Sequence, residues 1–390
     1  MKFTFWIAIF IVFYTFLGYG ILLYLLVRLR RLVKGKKALP PIDFDRLPSC
    51  TLVVAAYNEE NFIQEKIADT LALNYPADRL KLLFVTDGSN DRTPEIISAY
   101  PEIRLMHRPQ RLGKIAAVHR AVETIDTEVI VFTDANTFLN KDALLNICRH
   151  YADKTVGAVA GEKRVMADEQ ADASAAGEGF YWKYESTLKK WDSELYSVVG
   201  AAGELFSVRR ELYEPVDKSA ILDDFMISML IAQKGYRIVY EPEAYASETA
   251  SADVSEELKR KIRIAAGGIQ SIVWLKDLLN IFKYGTLSFQ YISHRVLRWT
   301  ITPFLLILAF VLNLIIAMTP GEWFYQILMA GQILFYLLAF TGLILEKKQL
   351  RVKILFIPYY FCIMNYAVLA GIVRYMKKQQ SSVWEKSKRK

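Results

Sequence analysis

Long uncharged segments at the two ends of the chain constrain its fold most strongly. Residues 3–27 carry no charged side chain, and a helix needs about 20 apolar residues to cross the hydrocarbon core of a bilayer. A cleaved signal peptide has its positive charge first and a shorter apolar core, whereas here the basic residues follow the segment, from Arg28 to Lys37. We therefore predict an N-terminal transmembrane anchor over 1–30 whose C-terminal end lies in the cytoplasm.

Three further apolar segments, at 297–318, 324–345 and 354–373, predict C-terminal transmembrane helices over 293–376. The formal net charge is +8, and much of the positive charge lies beside the apolar segments. This distribution indicates contact with anionic membrane lipids and argues against nucleic acid as a partner. The sequence therefore predicts a multi-pass protein of the cell (inner) membrane, with its polar middle in the cytoplasm.

The last apolar segment conflicts with the charges around it. The loop 346–353 is basic and is expected in the cytoplasm, whereas the turn 319–322 has no Lys or Arg and is expected outside. One more crossing would then place the basic tail, 377–390, outside the cell. We expect Pro358 and Asn365 to break the last segment into a re-entrant hairpin, which returns the tail to the cytoplasm.

Short apolar runs alternate with helical patterns in the middle of the chain. The predicted strands are 51–56, 80–86, 104–106, 128–133 and 156–161. The predicted helices are 61–73, 94–100, 114–125 and 141–151. This alternation predicts an α/β domain with a mostly parallel sheet covered by helices on both faces. In such sheets ligands bind beyond the carboxyl ends of the strands.

Acidic side chains follow three of these strands closely: Glu59, Asp87 and Asp134. A single Asp after a strand is usually a turn former, but carboxylates gathered at one edge repel each other unless positive charge binds there. Lys114, at a predicted helix start, suits a phosphate. A divalent cation at Asp134 is the other candidate, because Mg²⁺ takes one or two protein oxygens and completes its shell with water and phosphate oxygens. The sequence thus predicts a metal held against a nucleotide-sugar diphosphate.

Five motifs in this order carry a family resemblance: VVAAYNEE (53–60), VTDGSNDRT (85–93), RLGK (111–114), FTDAN (132–136) and LDDFMIS (222–228). Over residues 48–270 the chain resembles the inverting glycosyltransferases of family 2, which have the GT-A fold. With its flanking apolar helices it is similar to the membrane-integrated branch that includes cellulose, chitin, hyaluronan and poly-N-acetylglucosamine synthases. The resemblance implies a UDP-sugar donor, Mg²⁺ or Mn²⁺, and a glycan or lipid-linked acceptor.

The resemblance also implies roles for single residues. Asp224 matches the carboxylate that acts as general base: it would take the proton of the acceptor hydroxyl as that oxygen attacks the anomeric carbon opposite the diphosphate. The implied nucleotide-sugar contacts are Ala55, Tyr57, Glu59, Asp87, Lys114, Asp134, Arg260 and Arg263. The implied acceptor contacts are Gly200, Gly203 and Asp223, and the implied metal ligands are Asp134 and Asn136. Asp224 would also suit a helix N-terminus, where the dipole stabilises an acid.

Two departures from the family pattern bear on function. The usual metal motif has two acids, and here the second is Asn136, a neutral amide that attracts a cation less. The Gln-x-x-Arg-Trp motif of processive synthases is replaced by a basic segment in which Arg260 and Arg263 lie one helical turn apart. No Trp stands there to stack on an acceptor sugar. Long-chain processivity is therefore in question.

The predicted organisation places a glycosyltransferase domain at 48–253 between the membrane segments. Residues 254–292 follow as amphipathic helices that we expect to lie in the membrane interface, because apolar residues recur there at helical intervals between basic ones. Three functions are compatible with this layout. We favour a polysaccharide synthase over a transferase that adds one sugar to a lipid-linked acceptor, because the whole chain resembles the synthases. A catalytically inactive nucleotide-binding subunit is the third.

Overall fold

The structure is a computed structural model that describes residues 1–166, 173–249, 254–347 and 353–378. Much of the basic loop predicted at 346–353, and the tail 377–390 beyond residue 378, lie outside the described residues. The chain begins with two helices, α1 (Lys2–Phe13) and α2 (Tyr19–Lys34), joined by a π-helical turn. By length and composition the combined helix Lys2–Lys34 could cross a membrane.

Eight strands form one sheet in the order β3-β2-β1-β4-β7-β6-β8-β5. Their bounds are β1 Cys50–Ala56, β2 Leu80–Asp87, β3 Ile103–Arg108, β4 Val129–Asp134, β5 Phe138–Leu139, β6 Val156–Met166, β7 Leu205–Arg209 and β8 Arg237–Thr249. The first four strands run parallel, as do β6 and β8, whereas β7 is antiparallel to both of its neighbours. The prediction of a mostly parallel sheet is confirmed, and all five predicted strands are present.

Helices cover both faces of this sheet. They are α3 Ile63–Leu71, α4 Thr93–Ser98, α5 Lys114–Val122, α6 Ala143–Cys148, α7 Ala173–Leu195 and α8 Asp223–Gln233. The β1 strand shows the division, because Val53 joins the core beneath α5 and α8, while Leu52 and Val54 join the core beneath α3, α4 and α6. Since successive side chains of a strand point to opposite faces, a strand buried on both faces reads as an unbroken apolar run.

The remaining helices follow the last strand of the sheet and include the apolar C-terminal segments. They are α9 Val254–Trp274, α10 Ile281–Tyr284, α11 Thr286–Tyr291, α12 Leu297–Trp299, α13 Thr302–Ala317, α14 Trp323–Lys347 and α15 Lys353–Met376. Trp323–Glu346 and Ile354–Met376 are long and apolar enough to cross a membrane. The pair Thr286–Trp299 and Thr302–Ala317, bent by 58°, would give a fourth span if it counts as one.

The α9 helix is amphipathic, but protein covers its apolar side. A Cβ atom on Gly267 would lie 2.7 Å from Leu222 Cγ in the loop before α8, and one on Gly371 of α15 would lie 2.7 Å from Ala265 Cβ. Residues without large side chains let helix backbones approach this closely. Part of the apolar side of α9 therefore packs between the loop before α8 and α15. The expected position of this helix in the membrane interface stays a prediction.

The prediction that Pro358 and Asn365 break the last apolar segment is wrong. Lys353–Met376 is one continuous helix with Pro358 inside it. Pro358 is the sixth residue of the helix, so it removes one backbone hydrogen bond, to the carbonyl of Ile354, without ending the helix. The Asn365 side chain donates a hydrogen bond to the carbonyl of Phe361 at 2.8 Å, which keeps this residue within the helical pattern.

Candidate active site

The carboxyl ends of β1, β2 and β4 lie side by side, because β1 is the parallel neighbour of both other strands. Ala55 pairs with Asp134 across β1 and β4, and Ala56 pairs with Thr86 across β1 and β2. The polar residues that follow these three strands therefore meet at one edge of the sheet, where the sequence pattern placed the ligand.

Lys114 and Asp134 form the central contact of this edge. Lys114 is the first residue of α5, directly after Gly113, whose φ of 98° is a conformation that glycine adopts readily. The Lys114 Nζ atom lies 2.7 Å from Asp134 Oδ1. Burial lowers the pKa of this ammonium, but the carboxylates of Asp134 and Asp223 raise it by more, so the pKa of Lys114 lies above its ordinary value. Lys114 is therefore charged and ready to meet an anion.

Asp224 enters the same cleft from the first turn of α8. A Cβ atom on Gly203 would lie 3.3 Å from Asp224 Oδ2 and 3.5 Å from Lys114 Nζ. Gly203 therefore sits between the candidate base and the ammonium, and any side chain at this position would crowd both. Asp134, Lys114 and Asp224 face one cleft.

The environment of Asp224 favours its protonated form more than water does. Burial raises the pKa of Asp224 to about 7, and the neighbouring Asp223 carboxylate adds to the rise, while Lys114 opposes it. A general base is most effective when its pKa lies near the working pH, because it is then both deprotonated and basic enough to accept a proton. The geometry and the pKa of Asp224 both suit that role.

A small cavity lies at the other side of Lys114, and its walls include Ala55, Tyr57, Asp87 and Arg111. The Arg111 guanidinium carbon lies 3.8 Å from the centre of the Tyr57 ring, so the two side chains form a flat, positively charged wall. Such a wall suits a planar ring that is linked to phosphates.

Asp87, which lines this cavity, has one carboxylate oxygen bonded to the backbone and one without a partner in the described part of the chain. Its Oδ2 atom accepts hydrogen bonds from the backbone N–H groups of Leu112 and Gly113 at 2.7 and 2.6 Å. Its Oδ1 atom is buried and accepts no hydrogen bond from the described part of the chain. Because an unsatisfied buried acceptor costs free energy, this oxygen calls for a donor from a bound ligand or from water.

Two of the implied contact residues have structural positions instead of cavity-lining ones. The Glu59 carbonyl accepts from the N–H of Ile63 at the start of α3, and its own N–H donates to Thr93 Oγ1 at 2.9 Å. Gly200 has a φ of 81°, and a Cβ atom there would lie 2.1 Å from the Phe225 ring. Neither residue is among those that line the cavities beside Lys114, so their ligand contacts stay predictions.

The implied diphosphate arginines lie on α9. Arg260 Nη1 is 3.5 Å from Glu248 Oε1, and its Nε is 3.4 Å from Glu257 Oε2. Arg263 is partly buried one turn further along. The structure thus pairs Arg260 with protein carboxylates, and a bound diphosphate would have to compete with them.

Trp299, at the end of α12, lies beside the site although sequence reasoning did not place it there. Its ring centroid is 5.6 Å from that of Phe225, the residue after Asp224. A Cβ atom on Gly268 would lie 2.5 Å from Trp299 Cε3. Gly268 is one turn after Ile264, which stands where the synthase motif has its Trp. The sequence contains this Trp after an Arg, but only the tertiary fold brings it to α9.

Comparisons with known proteins bear on the family and the fold of the chain. Residues 51–216 match the family model described as Glycosyl transferase family 2. Poly-beta-1,6-N-acetyl-D-glucosamine synthase of Staphylococcus aureus (strain MSSA476) is 26% identical over 254 residues, which cover 63% of this chain and 60% of that relative. The match thus spans less than two thirds of the relative's length.

A solved structure is similar over nearly the whole chain. The mannosyltransferase PcManGT from Pyrobaculum calidifontis, in complex with GDP-Man and Mn²⁺, has a TM-score of 0.71 and 24% identity. The similarity covers 97% of this chain and 100% of that one. It establishes that the fold is the predicted GT-A fold with attached apolar helices.

Proposed function

Because residues 51–216 form a glycosyltransferase family 2 domain, we propose that the chain transfers a sugar from a nucleotide-diphosphate donor to a glycan acceptor at the membrane, with inversion. The observation that carries the proposal is the common cleft of Asp134, Lys114 and Asp224. An anionic donor suits the ammonium, and an acceptor hydroxyl suits the carboxylate beyond it. The named S. aureus relative supports a polysaccharide product.

The donor nucleoside would occupy the cavity beside Tyr57 and Arg111. The Oδ1 atom of Asp87, which has no partner in the described part of the chain, can accept a hydrogen bond from a base N–H or a ribose hydroxyl. The Lys114 ammonium, at the boundary of this cavity, would then face the diphosphate. We favour a uridine diphosphate donor, in line with the family resemblance.

The residues present fit a divalent cation held mainly by the substrate. Asp134 and Asn136 offer one carboxylate and one amide oxygen, a hard ligand set that suits Mg²⁺ or Mn²⁺. In the described part of the chain, no three His, Cys, Asp or Glu side chains form a metal-binding group. When bound, such an ion supplies positive charge that stabilises the departing diphosphate.

Asp224 would perform the proton transfer. As the acceptor oxygen forms its bond to the anomeric carbon, the bond from that carbon to the diphosphate oxygen breaks on the opposite face. The proton of the acceptor hydroxyl moves to the Asp224 carboxylate, and the nucleoside diphosphate leaves with the bonding electrons. Removing the proton in the transition state typically contributes about 10²–10⁴-fold to the rate.

Single addition to a lipid-linked acceptor is the second candidate, and two observations favour it. Ile264 stands where processive synthases carry their Trp. At most four helical segments of the described chain could cross a membrane, which is few for enclosing a polymer channel. Trp299 favours the synthase instead, because its aromatic ring packs against Phe225, the residue that follows Asp224 in α8.

Product analysis separates these candidates. The full chain, purified in detergent, is incubated with UDP-N-acetylglucosamine, UDP-glucose or GDP-mannose. Each reaction contains Mn²⁺, Mg²⁺ or a chelator, and the masses of the products are measured by mass spectrometry. We expect one donor to be consumed, with at least a tenfold loss of transfer when the chelator is present. A ladder of sugar additions supports the synthase, and a single added mass supports the lipid-linked acceptor. No transfer from any nucleotide sugar would contradict the proposed function.

The helix contacts also support a membrane arrangement. Lys2 Nζ lies 2.6 Å from Glu322 Oε1, so the start of α1 and the start of α14 lie on the same side, away from the catalytic domain that α2 reaches. The far end of α14 meets the first part of α15, where Gly342 abuts the Leu355 carbonyl. Gly371, near the end of α15, abuts α9. We propose that α15 does not cross the membrane but, as one unbroken helix, begins and ends on the catalytic, cytoplasmic side, so that the tail stays in the cytoplasm.

Cysteine accessibility tests this arrangement. In intact cells, a membrane-impermeant maleimide is expected to label Thr319→Cys in the α13–α14 turn and to leave Ser382→Cys in the tail unlabelled. Permeabilisation should expose Ser382→Cys to the reagent. The matched reference is the parent chain, whose own three cysteines set the background. Labelling of Ser382→Cys before permeabilisation would show that α15 crosses the membrane.

A further inference from the structure

Lys66 of α3 is a fully buried lysine that the proposed mechanism does not use. Its side chain is 0% exposed. Its ammonium donates a hydrogen bond to the carbonyl of Thr137 at 2.6 Å and lies 3.6 Å from Asp69 Oδ2. The same Asp69 oxygen accepts a hydrogen bond from the N–H of Leu139 at 3.0 Å. The side chains of Lys66 and Asp69, both on α3, therefore bond to the backbone of residues 137–139.

The segment that they hold begins where the candidate metal ligands end. Thr137 Oγ1 donates to the carbonyl of Asp134 at 2.9 Å and lies 3.0 Å from Thr133 Oγ1. These contacts close the turn that carries Asp134 and Asn136 out of β4. Because Thr137 is bonded both to this turn and to Lys66, a shift of its carbonyl would move the two oxygen ligands relative to each other.

A lysine is a costly residue at such a position. Removing an ammonium from water is unfavourable unless a carboxylate and hydrogen-bond acceptors replace the lost hydration, and an apolar side chain of similar length would fill the same space without that cost. The Asp69 carboxylate balances the charge of Lys66, so the pair adds no net charge beneath the turn. What remains specific to Lys66 is the hydrogen bond to Thr137.

We propose that Lys66, supported by Asp69, is a positioning residue that fixes the Thr137 carbonyl, so that Asp134 and Asn136 present their oxygens together to a divalent cation. This inference rests on the proposed function, in which these two residues hold the metal. It assigns to α3 a role in metal affinity in addition to its packing against the sheet through Ile63 and Ile67.

The test compares Lys66→Met with Lys81→Met. Methionine keeps the length of the side chain and removes the hydrogen-bond donor. Lys81 also pairs with an aspartate, Asp126, at 2.7 Å, but on the amino-terminal part of β2, away from the cleft. Mn²⁺ binding to the purified full chain is followed by electron paramagnetic resonance in the presence of UDP. UDP binding without metal and the thermal midpoint are measured on the same samples.

We expect Lys66→Met to weaken Mn²⁺ binding about tenfold, since residues that orient metal ligands typically contribute 10–100-fold to affinity. Metal-free UDP binding should stay within about twofold of the parent chain, and Lys81→Met should match the parent in both assays. A folded Lys66→Met protein that binds Mn²⁺ as tightly as the parent, or more tightly, overturns the proposal. A parent chain that binds no Mn²⁺ would instead contradict the proposed metal site itself.

A conservative variant covers the case in which Lys66→Met does not fold. Asp69→Asn keeps the shape of the side chain and an acceptor oxygen for Leu139, but removes the charge that holds Lys66 in place. We expect it to weaken Mn²⁺ binding in the same direction, with metal-free UDP binding unchanged. Parent-like Mn²⁺ affinity in folded Asp69→Asn would overturn the proposal.

Discussion

Replacing Asp224 with Asn is expected to reduce sugar transfer by about 10²–10⁴-fold while nucleotide binding persists. The amide has the size of the carboxylate but cannot accept the acceptor proton. The nucleoside cavity beside Tyr57 and Asp87 is separate from Asp224 and should be unaffected. Turnover is measured as nucleoside diphosphate release with acceptor present, and donor binding by titration calorimetry. Transfer at the parent rate by Asp224→Asn would remove the assignment of this residue as the base.

The pH dependence of the parent chain gives an independent measure of the same residue. Asp224 acts as a base only when it is deprotonated, and burial together with Asp223 raises its pKa to about 7. We therefore expect kcat/KM to fall about tenfold per pH unit below pH 7, whereas an ordinary aspartate, with a pKa of about 3.9, would give no such fall until near pH 4. Asp223→Asn removes a neighbouring negative charge, so the fall should move to lower pH.

The part of the site that sequence reasoning found depends on local patterns. Strands β1, β2 and β4 are unbroken apolar runs, because they are buried on both faces, and Asp87 and Asp134 stand at the strand ends. Parallel neighbours necessarily bring such ends together. The order of the motifs then identified Lys114 and Asp224. Only the coordinates show that both side chains approach Gly203, where a Cβ atom would lie 3.3 Å from Asp224 Oδ2 and 3.5 Å from Lys114 Nζ.

The parts that sequence reasoning missed depend on distant contacts. The short β5 and the antiparallel β7 pair with strands far away in sequence, and no local pattern marks either pairing. The apolar side of α9 suggests a membrane interface, yet part of it packs against the last helix where Gly371 approaches Ala265, which no helical period reveals. Lys66 reads in sequence as one more polar residue on a helix. Its burial follows from the position of β5, which lies over that side of α3.

The buried network that joins the N-terminal apolar helix to the glycosyltransferase domain gives the second large expected effect. Asp192 of α7 is 0% exposed. Its carboxylate accepts hydrogen bonds from the Tyr19 hydroxyl of α2 and from Gln290 Nε2, the latter at 3.0 Å. His294 Nδ1 lies 2.5 Å from its other oxygen. Gln290 Oε1 also accepts from the N–H of Ser197, so the network reaches the loop that leads to Gly203.

Replacing Asp192 with Ala should lower the free energy of unfolding by about 3–5 kcal/mol, because it leaves the buried partners Tyr19, Gln290 and His294 without their common acceptor. Asp126→Ala is the matched control, because it also removes a carboxylate from an ion pair, the one with Lys81. In that pair the side chain of Lys81 is 60% exposed and that of Asp126 is 73% exposed. Exposed pairs of this kind contribute about 0–1 kcal/mol. Chemical denaturation of the full chain in detergent, followed by tryptophan fluorescence, compares the two variants with the parent. Equal losses in both variants would contradict a special role for the buried carboxylate, whereas a loss confined to Asp192→Ala supports a stabilising role for the contact between the N-terminal apolar helix and the glycosyltransferase domain.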